Sequence, residues 1–242
     1  MLNNIETKIR ITVNKCVIYK QFFDNIDKIS KESKLMYKES TNVVVKHLVN
    51  RLRDVRTASN EFRLTIEEIS RIVASEALSE FKTITTNIET WQGPLDVEMI
   101  EVQKLVLIPI LRAGEPMLTG ILRTLPYAKS GFLAMKRDEE TAESKLFYEN
   151  VPPLEDKTVI ILDPMVATGG SLIDGIDYLK NKGAQKIISL NILGAPEGVE
   201  AVTKAHPDVN MYIAQIDERL DEKKYIRPGL GDAGDRAFNT HI

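Results

Sequence analysis

From residue 104 onward, short and continuously apolar runs alternate with amphipathic segments. The apolar runs are KLVLIPI (104–110), SGFLAM (130–135), TVIILD (158–163), KIISLNIL (186–193) and NMYIAQI (210–216). The amphipathic segments between them are EPMLTGILRTL (115–125), SLIDGIDYLKNKG (171–183) and PEGVEAVTKAH (196–206). Strands that are apolar at successive positions are typical of a parallel sheet covered by helices on both faces. The sequence therefore predicts an α/β fold with a mostly parallel sheet.

Such a sheet binds ligands at the carboxyl ends of its strands. We therefore expect functional residues just after Ile110, Met135, Leu162 and Ile216. The connection over residues 136–154, KRDEETAESKLFYENVPPL, is long and heavily charged. A connection of this length is usually functional, so we predict a flexible loop or hairpin that covers the site.

The chain divides into an N-terminal extension, residues 1–33, and one domain, residues 34–242. The extension has apolar residues at mixed spacing and no strong helix cap, and we expect an ordered segment without chemistry that covers a neighbouring surface or a partner subunit. A helix is expected from Ser59, since an apolar stripe of about 3.6-residue period follows it. The stripe consists of Ile66, Ile69, Ile72, Val73 and Leu78.

The composition excludes several classes of protein. The 242 residues include 32 basic and 35 acidic side chains, and a net charge of -3 gives no field that would collect nucleic acid or anionic lipid. The single cysteine and three scattered histidines exclude an internal disulfide and argue against structural zinc. No apolar run is long enough to cross a bilayer, and the first ten residues lack the layout of a signal peptide. We expect a cytoplasmic protein without a membrane or nucleic-acid partner.

The stretch DPMVATGGS, residues 163–171, lies between an apolar strand and an amphipathic helix. Residues 168–171 are therefore expected at the helix N-terminus, where free N–H groups and the helix dipole favour an anion. A Walker loop is disfavoured because no lysine follows the glycines. The alternative is a tight strand-to-helix turn with a serine cap. Asp163, at the strand's end, favours the anion site, because its carboxylate could meet ribose hydroxyls or hydrated magnesium beside a phosphate.

With the strand TVIIL before it, DPMVATGGS resembles the phosphoribosyl pyrophosphate signature of type I phosphoribosyltransferases. Together with PILRAG (109–114), MKRDEET (135–141) and YIRPGLGDAGD (225–235) in this order, it resembles the uracil phosphoribosyltransferase family. The similarity runs from about Val43 to Phe238, which is nearly all of the chain after its first forty or so residues. The resemblance implies the type I phosphoribosyltransferase fold and the conversion of uracil and 5-phosphoribosyl 1-diphosphate (PRPP) to UMP and diphosphate.

The resemblance also implies roles for particular residues. Arg112 and Arg137 would bind the pyrophosphate, and Asp163 and Asp232 would contact the ribosyl group, with Arg112, Asp163 and Asp232 as the catalytic set. For Arg112 the alternative is a surface ion pair, which is disfavoured directly after the apolar LIPI. The full set of PRPP-binding residues would be Arg112, Arg137, Asp163, Pro164, Met165, Val166, Ala167, Thr168, Gly169, Gly170, Ser171 and Asp232.

The terminal segment would read the edge of uracil through main-chain groups, with Ile226, Gly231, Asp232 and Ala233 lining the pocket. The cofactor implied is Mg²⁺ carried by PRPP, with no metal site of the protein's own. The family is commonly dimeric or tetrameric, and GTP activates some of its members. A homodimer or homotetramer is therefore expected here, with GTP as a candidate activator.

The chain departs from the usual family pattern at two places. Glu115 and Pro116 follow ILRAG, where Leu-Gly is common, and Glu115 is explained if it begins a helix. Arg227 stands where an apolar residue is usual, and it either points away from the pocket or shifts base choice towards an anionic pyrimidine such as orotate. Two alternatives to uracil transfer follow, namely transfer to another pyrimidine base and a non-catalytic nucleotide-sensing module.

Near the C-terminus, Gly229, Gly231 and Gly234 satisfy the G-x-G-x-x-G spacing of a dinucleotide-binding turn. That turn must open a strand-helix-strand unit with an acidic residue about 20 positions later. Only eight residues follow Gly234, so the match is accidental. The glycines are better explained by close approach of the main chain to a flat ligand.

Overall fold

The computed structural model describes residues 36–137 and 144–240, without the side chains of residues 136, 137, 144 and 145. The expected N-terminal extension, residues 1–33, lies outside the described residues. Among those described, the dominant feature is a nine-stranded sheet. Its strands are β1 (Tyr37–Glu39), β4 (Leu105–Leu111), β5 (Lys129–Ser130), β6 (Phe132–Arg137), β7 (Ser144–Asn150), β8 (Thr158–Leu162), β9 (Met165–Val166), β10 (Lys186–Gly194) and β11 (Asn210–Ile216).

The main strand order is β1-β11-β10-β8-β4-β6-β7, with β5 beside β4 and β9 beside β10. Every pair is parallel except β6–β7. In the centre, Ile160 of β8 aligns with Leu107 of β4 on one side and Ile188 of β10 on the other. The predicted mostly parallel sheet is confirmed, and NMYIAQI forms β11 with the predicted bounds.

Helices cover both faces of this sheet. They are α1 (Val43–Arg53), α2 (Ser59–Leu78), α3 (Glu115–Thr124), α4 (Gly170–Asn181), α5 (Pro196–Ala205) and α6 (Ala233–Phe238). The helix predicted from Ser59 is α2, and those predicted after β4, β8 and β10 are α3, α4 and α5. None of the helices in the described ranges has the length and hydropathy that a membrane crossing requires.

Successive residues of β8 belong to different apolar clusters. Ile160 packs with side chains of α1, α2 and α3, whereas Val159 and Ile161 pack with α4 and α5. These three side chains are fully buried. Burying a side chain of this size contributes about 1.5–3 kcal/mol, so both faces of the strand stabilise the fold. The strand β8 is therefore buried between two layers of helices, and this burial fixes the position at which the following loop begins.

Two hairpins extend from this core. The charged connection forms an antiparallel hairpin of β6 and β7, which confirms the predicted hairpin, and its tip, residues 138–143, lies outside the described residues. A second hairpin, not expected from the sequence, pairs β2 (Thr83–Thr90) with β3 (Gly93–Ile100) as a separate sheet. Its turn carries Trp91, which is 91% exposed, and its strands expose Ile84, Leu95 and Met99.

Two short strands and α6 complete the described chain. The strands are β12 (Arg219–Leu220) and β13 (Ile226–Arg227), which pair antiparallel after β11. Residues 228–232 then lead into α6. Because β11 ends at the same edge of the sheet as β4 and β8, this terminal segment lies at their carboxyl ends.

Candidate active site

The residues predicted to cradle a phosphate surround one small pocket at the carboxyl end of β8. The pocket has a volume of about 80 Å³ and is lined by Asp163, Met165, Ala167, Thr168, Gly169, Gly170, Ser171 and Leu172. The helix α4 begins at Gly170, so its first N–H groups lie at this pocket. A helix N-terminus attracts anions through these donors and through the helix dipole. The pocket can therefore hold a compact anionic group.

Gly169 caps α4 in a left-handed conformation, with φ of 81°. A Cβ at this position would stand 2.8 Å from Val202 Cγ2 and 2.9 Å from the Gly198 carbonyl oxygen. A Cβ on Gly170 would meet only Thr168 Oγ1, at 3.8 Å. Gly169 is thus required by backbone geometry and close packing, whereas Gly170 leaves space in front of the helix for a ligand.

Two of the predicted PRPP residues, Pro164 and Val166, are buried and fix the loop instead of lining the pocket. The Pro164 carbonyl accepts hydrogen bonds from Ile192 and Leu193 N–H, at 3.2 and 2.9 Å. The Val166 carbonyl accepts one from Ala195 N–H at 2.9 Å. The loop after β8 is therefore attached to β10 by main-chain bonds.

A buried polar pair on β10 supports Asp163 from behind. Asn191 Nδ2 donates to the Asp163 carbonyl oxygen at 2.7 Å, and Ser189 donates to Asn191 Oδ1 at 2.9 Å. Both side chains are fully buried, where an unpaired polar group would cost about 1–3 kcal/mol. This pair was not expected from the sequence, although a serine and an asparagine inside an apolar strand were a usable signal.

The Asp163 carboxyl group is half-buried beside the pocket, and Oδ1 accepts a hydrogen bond from Met165 N–H at 3.2 Å. Desolvation by burial raises the pKa of Asp163 to about 7, and the Met165 hydrogen bond acts in the opposite direction. Perturbed carboxyl groups in a cleft are typical of functional sites. Asp163 therefore combines a position beside the anion pocket with an electrostatic environment that favours a compensating cationic or hydrogen-bonding ligand.

Arg112 follows β4 and points to the C-terminal segment. Its Nη2 forms an ion pair with Asp235 Oδ1 at 3.1 Å, and its guanidinium lies 5.9 Å from the centre of the Phe238 ring. The surface ion pair that was disfavoured from the sequence therefore does occur, because the fold brings the last helix to the end of β4. The Arg112 side chain is 57% exposed, so its remaining donors face solvent at the site.

The predicted base-binding residues lie on the loop between β13 and α6. The Ile226 side chain is buried in the apolar core, so a base at this loop would meet the main chain of Ile226. Gly231 and Asp232 are exposed, and Ala233 is buried at the start of α6. Asp232 caps that helix, since its Oδ1 accepts a hydrogen bond from Asp235 N–H at 2.8 Å.

This loop contacts the loop that carries Arg112. A Cβ on Gly234 would lie 3.9 Å from the Ala113 Cβ, at van der Waals distance. The structure thus brings together the ends of β4 and the terminal segment, while the end of β8 is adjacent to β4 in the sheet. Three of the four segments singled out from the sequence meet at one edge. The fourth carries Arg137, whose side chain lies outside the described part of the chain.

Two arginines that were not expected from the sequence hold the loop of residues 226–232, which we call the base loop. Arg53, the last residue of α1, forms a bidentate ion pair with Asp217 and also donates a hydrogen bond to the Gly229 carbonyl oxygen. Arg236 donates to the carbonyl oxygens of Leu52 and Leu230, the latter at 2.7 Å. Apart from Leu230, these partners lie 164 to 184 residues away in sequence, where no local pattern could reveal them.

The unusual residues of the sequence have local explanations. Glu115 begins α3, and its carboxylate accepts a hydrogen bond from Thr119 at 2.8 Å within that helix. Arg227 is exposed and donates from Nε to Asp221 Oδ2 at 2.8 Å across the β12–β13 hairpin. Its neighbour Ile226 points into the core. Glu115 and Arg227 thus each form a hydrogen bond within their own helix or hairpin.

In the described residues, no group of three or more acidic, histidine or cysteine side chains could hold a metal ion. Asp163 is the carboxyl group beside the phosphate pocket. A magnesium ion at this site fits the donors present only if phosphate oxygens of a ligand supply most of its coordination.

The mostly parallel sheet flanked by helices, with a glycine-containing helix start and an acidic residue after its central strand, has the type I phosphoribosyltransferase fold. The chain belongs to the uracil phosphoribosyltransferase family, whose model matches residues 39–240.

Two relatives support this membership. A protein named uracil phosphoribosyltransferase from Halalkalibacterium halodurans is 44% identical over 198 residues, which cover 81% of this chain and 95% of that protein. The AQ2163 protein from Aquifex aeolicus has a solved structure that superposes with a TM-score of 0.82 at 37% identity. That match covers 85% of this chain and 99% of the Aquifex chain.

Proposed function

We propose that the protein transfers the 5-phosphoribosyl group of PRPP to N1 of uracil and releases UMP and diphosphate. The observation that carries this proposal is the convergence of Asp163, the start of α4, the Arg112 loop and the terminal segment at one edge of the sheet. Family membership and the name of the Halalkalibacterium relative support the same reaction. The proposal assigns the phosphate to one end of the site and the base to the other.

The 5-phosphate would bind in the pocket formed by residues 167–171. There the free N–H groups of α4 and the Thr168 hydroxyl can share its charge. One helix N-terminus contributes only about 0.3–1 kcal/mol at an exposed site, so several donors must act together. The fixed attachment of this loop to β10 keeps these donors in place without a conformational cost at binding.

The reaction breaks the bond between C1 of the ribose and the diphosphate oxygen, and the diphosphate leaves with the electron pair. N1 of uracil forms the new bond to C1 and loses its proton to water or to the departing diphosphate. Positive charge develops on the ribose, and the carboxylates of Asp163 and Asp232 would offset it. Arg112 and Arg137 would stabilise the negative charge on the diphosphate.

Magnesium is implied as a companion of PRPP. When bound, it would neutralise charge on the diphosphate and so make that group a better leaving group. Asp163 is the protein group available to the hydrated ion or to the ribose hydroxyls. The hairpin of β6 and β7 would cover the site and exclude water, which would otherwise hydrolyse PRPP.

The base would lie against the loop from Ile226 to Ala233, where main-chain groups can donate to and accept from its edge. The bond between Arg227 and Asp221 supports uracil over orotate, because it engages the cation that a carboxylated base would need. Neutral uracil is therefore a better match to the loop than anionic orotate.

The decisive experiment is to incubate the purified protein with PRPP, magnesium and uracil and to measure UMP and diphosphate. We expect both products in equal amounts, and orotate in place of uracil should give no nucleotide. Turnover of another base with none of uracil would refute the assigned specificity. Nucleotide binding without turnover of any base would indicate a sensing module.

A homodimer or homotetramer is also proposed. Its support is the β2–β3 hairpin, because an isolated two-stranded sheet is marginally stable in water and this one exposes apolar side chains. Trp91→Ser with Met99→Ser should lower the molar mass measured by light scattering, and adding GTP to the uracil assay tests activation. A cytoplasmic location is proposed on the basis of the single cysteine, since disulfide-rich sequences are typical of secreted proteins.

A further inference from the structure

Asp217 and Arg53 form an ion pair at the boundary between the core and the base loop. Arg53 Nη2 lies 2.6 Å from Asp217 Oδ1, and Arg53 Nη1 lies 2.8 Å from Asp217 Oδ2. The Asp217 side chain is 2% exposed and that of Arg53 is 17% exposed. A two-pronged, largely desolvated pair of this kind is directional, and removing one partner leaves the other charge without compensation.

Both members of the pair also bind the main chain of Gly229. Asp217 Oδ2 accepts from Gly229 N–H at 2.8 Å, and Arg53 Nη1 donates to the Gly229 carbonyl at 2.7 Å. Gly229 has φ of 69°, and a Cβ there would clash with the Ile226 carbonyl oxygen. The pair therefore fixes both polar main-chain groups of a residue in the left-handed conformation within the base loop.

The neighbouring residue of the loop is held in the same manner. The Leu230 carbonyl accepts from Arg236, which is buried and lies over the Phe62 ring at 4.4 Å. The loop thus takes its shape at Gly229 and Leu230 from side chains of α1, α6 and the end of β11. The loop of residues 163–169, which we call the phosphate loop, takes its shape from main-chain hydrogen bonds to β10 and the residue after it.

We propose that Arg53 and Asp217 are positioning residues for base recognition, which set the geometry of the base loop through Gly229. The PRPP loops after β4 and β8 stay unaffected, and so does Asp232, which the cap of α6 holds separately. This proposal rests on the proposed function, since it assigns the loop to the base. Neither side chain has to touch uracil. A misplacement of about 1 Å in a recognition group can cost a hundredfold in rate or affinity, so the effect of disturbing the pair should be large and confined to one substrate.

The test compares Arg53→Lys and Asp217→Asn with the unsubstituted protein. Lysine keeps the positive charge but has a single ammonium, which cannot bind both carboxylate oxygens and the Gly229 carbonyl in the same geometry. We expect the KM for uracil to rise about tenfold or more in each variant while the KM for PRPP changes less than about twofold. Arg53→Lys is the milder change and serves if Asp217→Asn melts below the assay temperature.

The matched control is Arg123→Gln, which removes a 2.7 Å ion pair to the largely buried Glu67 between α2 and α3. It should lower the melting temperature without changing the KM for uracil. Hydrogen exchange of residues 226–232 provides a second measurement. Exchange should accelerate there in the two test variants and not in the control.

Equal rises of both KM values, or an unchanged KM for uracil with unchanged exchange of the loop, would overturn the proposal. Failure of the proposed function would look different, since the unsubstituted protein would then form no UMP. The exchange measurement needs no substrate, so it tests the positioning of the loop even in that case.

Discussion

Gly198 of α5 lies directly against Ala167 of the phosphate loop. A Cβ on Gly198 would clash with the Ala167 carbonyl oxygen and would stand 2.8 Å from that of Val166, both backbone atoms. In the reciprocal contact, a Cβ on Gly169 would stand 2.9 Å from the Gly198 carbonyl oxygen. A helix backbone thus packs against the loop proposed to bind the 5-phosphate, with no side chain between them.

We therefore predict that Gly198→Ala displaces the phosphate loop. The variant should raise the KM for PRPP about tenfold or more and leave the KM for uracil nearly unchanged. Overpacking of this kind costs about 1–3 kcal/mol, so the melting temperature should also fall. Steady-state kinetics with each substrate varied in turn would measure this. Glu200→Ala, an exposed change on the same helix, is the control and should behave like the unsubstituted protein.

Arg112→Ala should separate activity from stability. The ion pair of Arg112 with Asp235 is exposed on both sides, and such pairs contribute about 0–1 kcal/mol, so the melting temperature should hardly change. Loss of a donor to the departing diphosphate should lower kcat/KM about a hundredfold. Arg71→Ala removes an exposed pair with Glu68 elsewhere and should leave both quantities unchanged. A kcat/KM of Arg112→Ala within threefold of the unsubstituted value would contradict its assignment.

We expect Asp163→Asn to lose activity and to gain stability, and the gain in stability should depend on pH. Burial raises the pKa of Asp163 from 3.8 to about 7, so ionising this group destabilises the folded state as the pH rises from about 4 towards 7. Asparagine does not ionise, and the variant should gain about 2 kcal/mol relative to the unsubstituted protein at pH 8, allowing for partial exposure. At pH 4 the gain should disappear. Denaturant unfolding at both pH values measures it, and a gain independent of pH would contradict this account.

Asp163→Asn should at the same time abolish UMP formation, because the ribose cation loses a carboxylate. Groups that are destabilising in the free protein and essential in the reaction are a recognised feature of active sites. Asn191→Ala offers a contrast, since it leaves the Asp163 carboxyl in place and removes only the support of its carbonyl. It should reduce both stability and activity.

Asp232 has two roles that different substitutions can separate. It caps α6, and its removal by Asp232→Ala should cost about 1 kcal/mol of unfolding free energy. Asp232→Asn keeps a good capping side chain and should be close to the unsubstituted protein in stability. Both variants should lose turnover of uracil, because neither has the carboxylate, and both should still unfold cooperatively. Near-normal activity of Asp232→Asn would refute the catalytic assignment.

Periodicity in the sequence was sufficient to predict the sheet and the phosphate loop. The strand TVIIL is apolar on both faces because it is buried on both faces, and Gly169 and Gly170 stand where that strand's loop turns into a helix. These relationships involve residues close in sequence. They are therefore visible as patterns of residue type.

The parts that escaped prediction depend on distant residues or on exposed surface. The β2–β3 hairpin has few buried positions, and the alternation of Leu95, Val97 and Met99 with acidic residues in β3 was a signal that went unused. The partners of Arg53 lie 164 and 176 residues away, and no local motif connects them. Gly198 is an intermediate case, because a glycine inside a helical pattern usually has a packing reason and could have been singled out.

The contact between Arg53 and Gly229 joins two residues that lie 176 positions apart in the sequence, which is most of the length of the domain. Contacts of such high sequence separation must overcome the loop-closure entropy of the intervening chain, and they slow folding. During synthesis, α1 leaves the ribosome early, and the loop that it must hold is among the last segments made. The phosphate loop and its strand can be in place before then. Recognition of the base is thus completed only when the whole chain is present, and a chain that ends before residue 229 should fold much of its sheet yet lack the means to select its acceptor.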